Sequence, residues 1–118
     1  MKGRIEDLAG IAAILRDRDL GQVERVVAHM NRLAADIAML TDARQARAAD
    51  GTLDTARLAG ADVAWEAWTE RRLTLAQAQM ATLRVSHETA LAQARRSFGR
   101  YDVLDRMAQH SRAQKPGR

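Results

Sequence analysis

The chain has 118 residues, enough for one domain and too few for two. Aromatic residues make up only 3%, proline occurs once and cysteine not at all, which excludes a disulfide framework, a thiolate metal site and a cysteine nucleophile and argues against a β-sandwich or barrel. The formal charge of +4 comes from 19 basic and 15 acidic residues, and the excess sits in the last third: residues 84–118 carry eight basic and three acidic groups, while residues 1–52 balance at eight and eight.

The 24 alanines, with Leu, Arg, Glu, Asp and Gln, suit long helices. A first helix is expected over about residues 4–48, interrupted only by tolerated glycines at Gly10 and Gly21. The interior turn signal is Ala49-Asp50-Gly51-Thr52, where Gly51 can take positive φ and Thr52 can cap a second helix. That second helix is expected over about residues 53–112, with Asp54 near its positive dipole end and a frayed tail at 113–118. Helices this long in so short a chain must pair along their length. The expected fold is therefore all-α, a long antiparallel two-helix coiled-coil hairpin.

Apolar spacing supports pairing. Val23, Val26, Met30, Leu33, Ile37 and Leu40 step by 3 and 4, as a heptad seam does. Upstream, Leu8, Ala12 and Leu15 form a second run, joined through Asp19 by two steps of 4, a stutter. In the second helix Leu73, Ala76, Met80, Leu83 and His87 repeat the pattern, and a further step of 4 leads to Leu91, Ala94, Phe98 and Tyr101. Leu58, Ala61, Trp65 and Trp68 form an offset seam near the turn. With a four-residue turn, facing positions sum to about 102. Ile37 then faces Trp65, Val26 faces Ala76, Leu15 faces His87 and Leu8 faces Ala94. Residues beyond about Asp102 are left without an intramolecular partner, so Val103, Leu104 and Met107 become a candidate docking stripe. A hairpin burying only one narrow stripe per helix is expected to be marginally stable.

No catalytic constellation is visible. His29, His87 and His110 are far apart and share no metal-ligand spacing. His87 reads first as a seam polar residue that fixes register. Phosphate-cradling glycine motifs are absent, and a two-helix hairpin offers no concave, water-excluding pocket. The expectation is a non-enzyme with no catalytic residues, no cofactor and no metal.

Two tryptophans one turn apart, Trp65 and Trp68, allow two readings. Both cover the seam near the turn, or one is exposed as a partner anchor, since Trp and Arg are enriched at interface hot spots. The basic end allows two as well: a solubilising helix face, or a docking surface for an acidic partner. Nucleic-acid binding ranks below protein binding, because the arginines are interleaved with Glu88, Asp102 and Asp105 and no recognition motif is present. No run of about 18 apolar residues exists, and acids stand where a secretory signal turns apolar, so cytoplasmic residence without membrane insertion is expected.

The stretch Ala94-Arg95-Arg96-Ser97-Phe98-Gly99-Arg100-Tyr101-Asp102-Val103-Leu104-Asp105-Arg106 resembles the end of the FliJ-like and YscO-like coiled-coil proteins of the flagellar and type III export apparatus. The plan of the whole chain is similar: N-terminal helix, mid-chain turn, longer C-terminal helix. The resemblance implies a stalk in the central hole of a hexameric export ATPase, coupling the ring to the export gate and escorting export chaperones. It places Arg95, Arg96, Arg100 and Arg106 toward the ring and Trp65 and Trp68 toward the gate. The alternative is a generic coiled-coil scaffold that self-associates through Val103, Leu104 and Met107.

Overall fold

The computed structural model describes residues 2–51 and 60–114, with the side chain of Lys2 left aside. It contains two helices, α1 over Lys2–Ala49 and α2 over Ala61–Ala113. The fold class is an all-α helical hairpin with heptad packing. Alanine and straight-chain residues keep both helices continuous over 48 and 53 residues. Arg47 in the last turn of α1 and His110 and Arg112 in that of α2 oppose the negative dipole ends. Asp62 does the same at the positive end of α2.

Contacts group the chain into two compact units. Unit 1 comprises Met1–Val27 with Ser86–Arg118, and unit 2 comprises Ala28–Val85.

In unit 2, Leu33 of α1 packs with Ala76 and Met80 of α2, and Met30, Ile37 and Leu83 close over them. The helices run antiparallel here: Arg44 reaches Glu66 and Glu70, and the later residue Arg47 reaches the earlier Asp62. Thr69 is fully buried, and its hydroxyl donates to the Trp65 carbonyl at 2.9 Å. That back-bond satisfies the hydroxyl inside its own helix, so a small polar residue can occupy the seam.

In unit 1 the seam is made of smaller side chains. Ala12, Asp19 and Val26 are buried on α1, and Ala90, Ala94, Ser97 and Ala108 on α2. Ile5, Ala9, Arg16 and Val23 are half-buried between them on α1, as are Tyr101 and Leu104 on α2. The steps are 4 and 3 without a break on both helices. Antiparallel pairing is shown by Asp19 against Ser97 and by the earlier Arg16 against the later Tyr101.

Four expectations are corrected. α1 ends at Ala49, just before Asp50 and Gly51 as expected, but among the described residues Gly60 and not Gly51 is the glycine with positive φ, at 80°, and α2 begins just after it. Only a residue without a Cβ takes that conformation without strain. Thr52, Leu53, Asp54 and Leu58 lie outside the described residues, as does the tail from 115 onward.

Second, the longer separation between α1 and α2 shifts the register. Leu8 and Leu15 stand beside Ser97, Val103 and Leu104 rather than facing Ala94 and His87. Ala76 packs on Leu33 rather than on Val26, and Ile37 packs on the Leu33 cluster rather than on Trp65. In a helical hairpin the connection length sets which turns meet, so a misplaced turn moves every pair by the same offset.

Third, neither stutter exists. Leu8 and Leu15 flank the seam, which passes through Ala9, Ala12, Arg16 and Asp19. On α2, Ala90 and Ser97 hold the seam positions expected for Leu91 and Phe98, and Phe98 is exposed. Fourth, there is no overhang after Asp102. Leu104 shares a groove with Leu8 and Ala12, and Ala108 is only 4% exposed.

Candidate functional site

The features of unit 1 begin with a polar layer in its seam. Asp19 is 6% exposed, yet it carries a carboxylate. The Ser97 hydroxyl donates to it across the helix pair. Arg18 adds two contacts from its own helix, Nε at 3.2 Å and a terminal nitrogen at 3.1 Å. The Ser97 hydrogen bond holds the Asp19 carboxyl below its ordinary value, against the desolvation that pushes it up, with Arg18 and Gln93 acting in the same direction as Ser97. One turn along, the Arg16 guanidinium lies 4.1 Å from the Tyr101 ring centroid and 5.9 Å from that of Phe98, within cation–π range. Hydrogen bonds to Asp17 and Tyr101 raise the affinity of Arg16 for its proton. A buried charge in a heptad seam is costly unless paired, and its paired geometry favours one register over its neighbours.

Beside this seam lies a groove of about 450 Å³. Leu8, Ile11, Ala12 and Leu15 form its α1 wall. Ser97, Arg100, Val103 and Leu104 form its α2 wall. Leu8, Ile11 and Val103 are all exposed despite their size. The cause is the identity of the seam residues. Ala9, Ala12, Arg16 and Asp19 occupy the inward positions, so the large aliphatics of this segment stand one position to the side.

Of the residues singled out from sequence, the structure brings Arg100, Val103 and Leu104 together in this groove. Met107 is exposed one turn beyond Val103. Arg95 and Arg96 are exposed, and Arg96 donates to Gln93 at 2.6 Å. Arg106 bridges Asp102 at 2.9 Å along its own helix. Sequence reasoning places Leu8 and Leu15 in the seam, misses Ile11, and does not read Asp19 and Ser97 as a pair. Extending the Val23 heptad backward in steps of 4 and 3 arrives at Asp19, Arg16, Ala12 and Ala9, which is the signal that finds them.

Unit 2 holds the tryptophans. Trp65 is half-buried and lines shallow grooves with Ala43, Ala46, Arg47 and Ala61 and with Asp36, Met39 and Leu40. Trp68 is 45% exposed, with the Arg72 guanidinium 5.4 Å from its ring centroid. Trp68 is thus the exposed ring of the pair, and both rings line the groove with Asp36, Met39 and Leu40. Among the described residues no three His, Asp or Glu side chains converge in a metal-binding group, and no helix is long and apolar enough to cross a membrane.

Charge divides by unit. Unit 1 has twelve basic and eight acidic residues, and unit 2 has seven of each, so unit 1 carries the whole +4. Compared with known proteins, the chain matches no family model, no curated protein and no solved structure.

Proposed function

We propose that the chain is a non-enzymatic coiled-coil adaptor of the cytoplasm, acting as the central stalk and chaperone escort of a type III export ATPase. The observation that carries this reading is the division of labour between the units. Unit 1 combines the chain's net positive charge with an apolar groove, while unit 2 is neutral and presents Trp68. A chain with one basic, apolar surface and one neutral, aromatic surface is suited to link two different partners. In this reading Arg95, Arg96, Arg100 and Arg106 meet the hexameric ring, and Trp65 and Trp68 meet the export gate. The test is co-purification with a hexameric export ATPase and measurement of its ATP hydrolysis. The wild-type chain is expected to bind and stimulate. Joint Arg95→Glu, Arg96→Glu and Arg100→Glu substitution is expected to abolish stimulation while leaving helicity unchanged. Stimulation that is absent, or that survives charge reversal, sinks the stalk.

The second reading is a scaffold that dimerises into a four-helix bundle. The exposed Leu8, Ile11 and Val103 favour it, and a stable dimer in sedimentation without any partner would support it over the stalk.

A further inference from the structure

We propose that the groove of unit 1 receives an amphipathic helix of a partner protein whose apolar stripe is flanked by acidic residues. The inference rests on the adaptor reading and names the chemistry of the docking partner.

Two stripes at helical spacing border the groove. On α1, steps of 4 and 3 run through Arg4, Leu8, Ile11, Leu15, Arg18, Gln22 and Arg25. On α2 they run through Gln93, Arg96, Arg100, Val103, Met107 and His110. Residues so spaced share one helix face. That the two faces adjoin is shown by the groove, to which Leu8, Ile11 and Leu15 contribute from one side and Arg100 and Val103 from the other. On α1 the stripe is aliphatic from Leu8 to Leu15, with Arg4 before it and Arg18 and Arg25 after it; on α2 Arg96 and Arg100 precede the apolar Val103 and Met107. All eight acids of unit 1 lie off these stripes. Among the described residues no acid pairs with Arg4 or Arg100.

The shape asks for a ridge of side chains, and a helix supplies one with anchors at i, i+3, i+4 and i+7. The charge selects which helix. A second copy docking by the same face would set these arginines against their own equivalents, a like-charge arrangement that opposes association. A lipid surface would meet the arginines but leave a concave trough unfilled. A nucleic acid would leave the aliphatic centre uncovered. An acidic-flanked amphipathic helix satisfies both the trough and the cations.

The test uses the full-length protein and a labelled synthetic peptide of about 18 residues, five helical turns. The peptide carries Leu at i, i+3, i+4 and i+7 and Glu on both flanks, and a second peptide has Lys in place of every Glu. By fluorescence anisotropy the Glu peptide is expected to bind saturably, and the Lys peptide at least about tenfold more weakly. Ile11→Ser and Val103→Ser are each expected to weaken the Glu peptide about tenfold, the weight of one aliphatic anchor. Both residues are more than half exposed, so circular dichroism should be unchanged. Arg100→Glu is expected to narrow the difference between the two peptides. Four results would overturn the proposal. These are no peptide binding, equal binding of both peptides, a dimer in sedimentation that Ile11→Ser dissolves, and binding to phosphatidylserine vesicles that the Glu peptide does not compete. If the peptide fails while ATPase stimulation is intact, the groove proposal alone is wrong. If the peptide binds and stimulation is absent, the stalk alone is wrong.

Discussion

The two units use one heptad rhythm to opposite ends. Unit 2 puts its large side chains inward: Leu33, Leu73 and Met80 are buried, with Met30, Ile37 and Leu83 around them. Its charges balance, and Arg44 and Arg47 tie α1 to acids on α2. Unit 1 puts alanine, serine and an aspartate inward and leaves Leu8, Ile11, Phe98, Val103 and Met107 outside. The same spacing therefore builds a seam of large side chains in one place and a seam of small ones in the other, while both units leave large hydrophobics outside, Met39, Val63, Leu75 and Val85 among them in unit 2. Hydrophobic burial scales with apolar area removed from water, so a seam of alanines gains less from pairing than one of leucine and methionine. The seam of unit 2 should therefore stabilise the helix pair more than that of unit 1 does.

The largest expected effect breaks that contrast at its stronger side. Leu33→Ala removes the side chain at the centre of the unit 2 cluster. A large-to-small change at a buried position costs about 2–4 kcal/mol, from lost transfer energy and the void left behind. Ile11→Ala in unit 1 is the matched control. Its side chain is 55% exposed, so the cost should stay within about 0.5 kcal/mol. Urea denaturation monitored by circular dichroism checks both. Equal losses would mean that unit 1 buries as much as unit 2, and the division between the units would fail.

How far this division can be read in the sequence depends on the segment. The heptads around Leu33 and Met80 are legible because size and spacing agree there: the large residues occupy the inward positions. In unit 1 they disagree, and favouring size leads to Leu15, Leu91 and Phe98 when the seam runs through Arg16, Ala90 and Ser97. Both expected stutters come from that preference. The register fails for another reason. Gly51 and Gly60 both stand at helix ends, Gly51 two residues after the end of α1 and Gly60 just before the start of α2, and nothing local in the sequence shows the second of these. α1 ends at Ala49, next to its expected end, whereas α2 begins at Ala61 and not near residue 53, and that later start displaces the facing pairs and removes the expected overhang. Of the candidate site, Val103 and Leu104 are legible as an apolar stripe near Arg100, although Leu104 lies half-buried on the seam. Their α1 wall, Leu8, Ile11 and Leu15, depends on the corrected register and so is invisible in the sequence alone.

A middle-sized effect sharpens the contrast from the side of unit 1. The Asp19 carboxyl is held below its ordinary value near 3.8 by the Ser97 hydroxyl, with help from Arg18 and Gln93. A group whose folded-state pKa is depressed contributes stability above its unfolded pKa and loses it as pH falls through the folded pKa. Unit 1 should therefore keep its full stability at neutral pH and loosen as pH drops below about 4. Hydrogen exchange at the amides around Asp19 and Ser97 should accelerate in that window, ahead of those around Leu33 and Met80. Ser97→Ala removes the leading cause of the shift, so the Asp19 titration observed by NMR should move upward. An unmoved titration would show that the cross-helix hydrogen bond does not govern the carboxyl.

The smallest effect concerns the charges of unit 2. Arg44 lies 2.9 Å from a Glu66 oxygen and 3.3 Å from a Glu70 oxygen, and all three side chains are at least 40% exposed. Ion pairs in such positions gain little over their hydrated forms and lose side-chain entropy when they form. Arg44→Gln should therefore cost at most about 1 kcal/mol, and raising salt to about 1 M, where the screening length is near 3 Å, should erase the difference. Differential scanning calorimetry at low and high salt checks it. A larger loss that salt does not erase would make charge pairing, rather than the Leu33 cluster, the force that closes unit 2. The contrast with unit 1 would then be one of charge placement instead of core size.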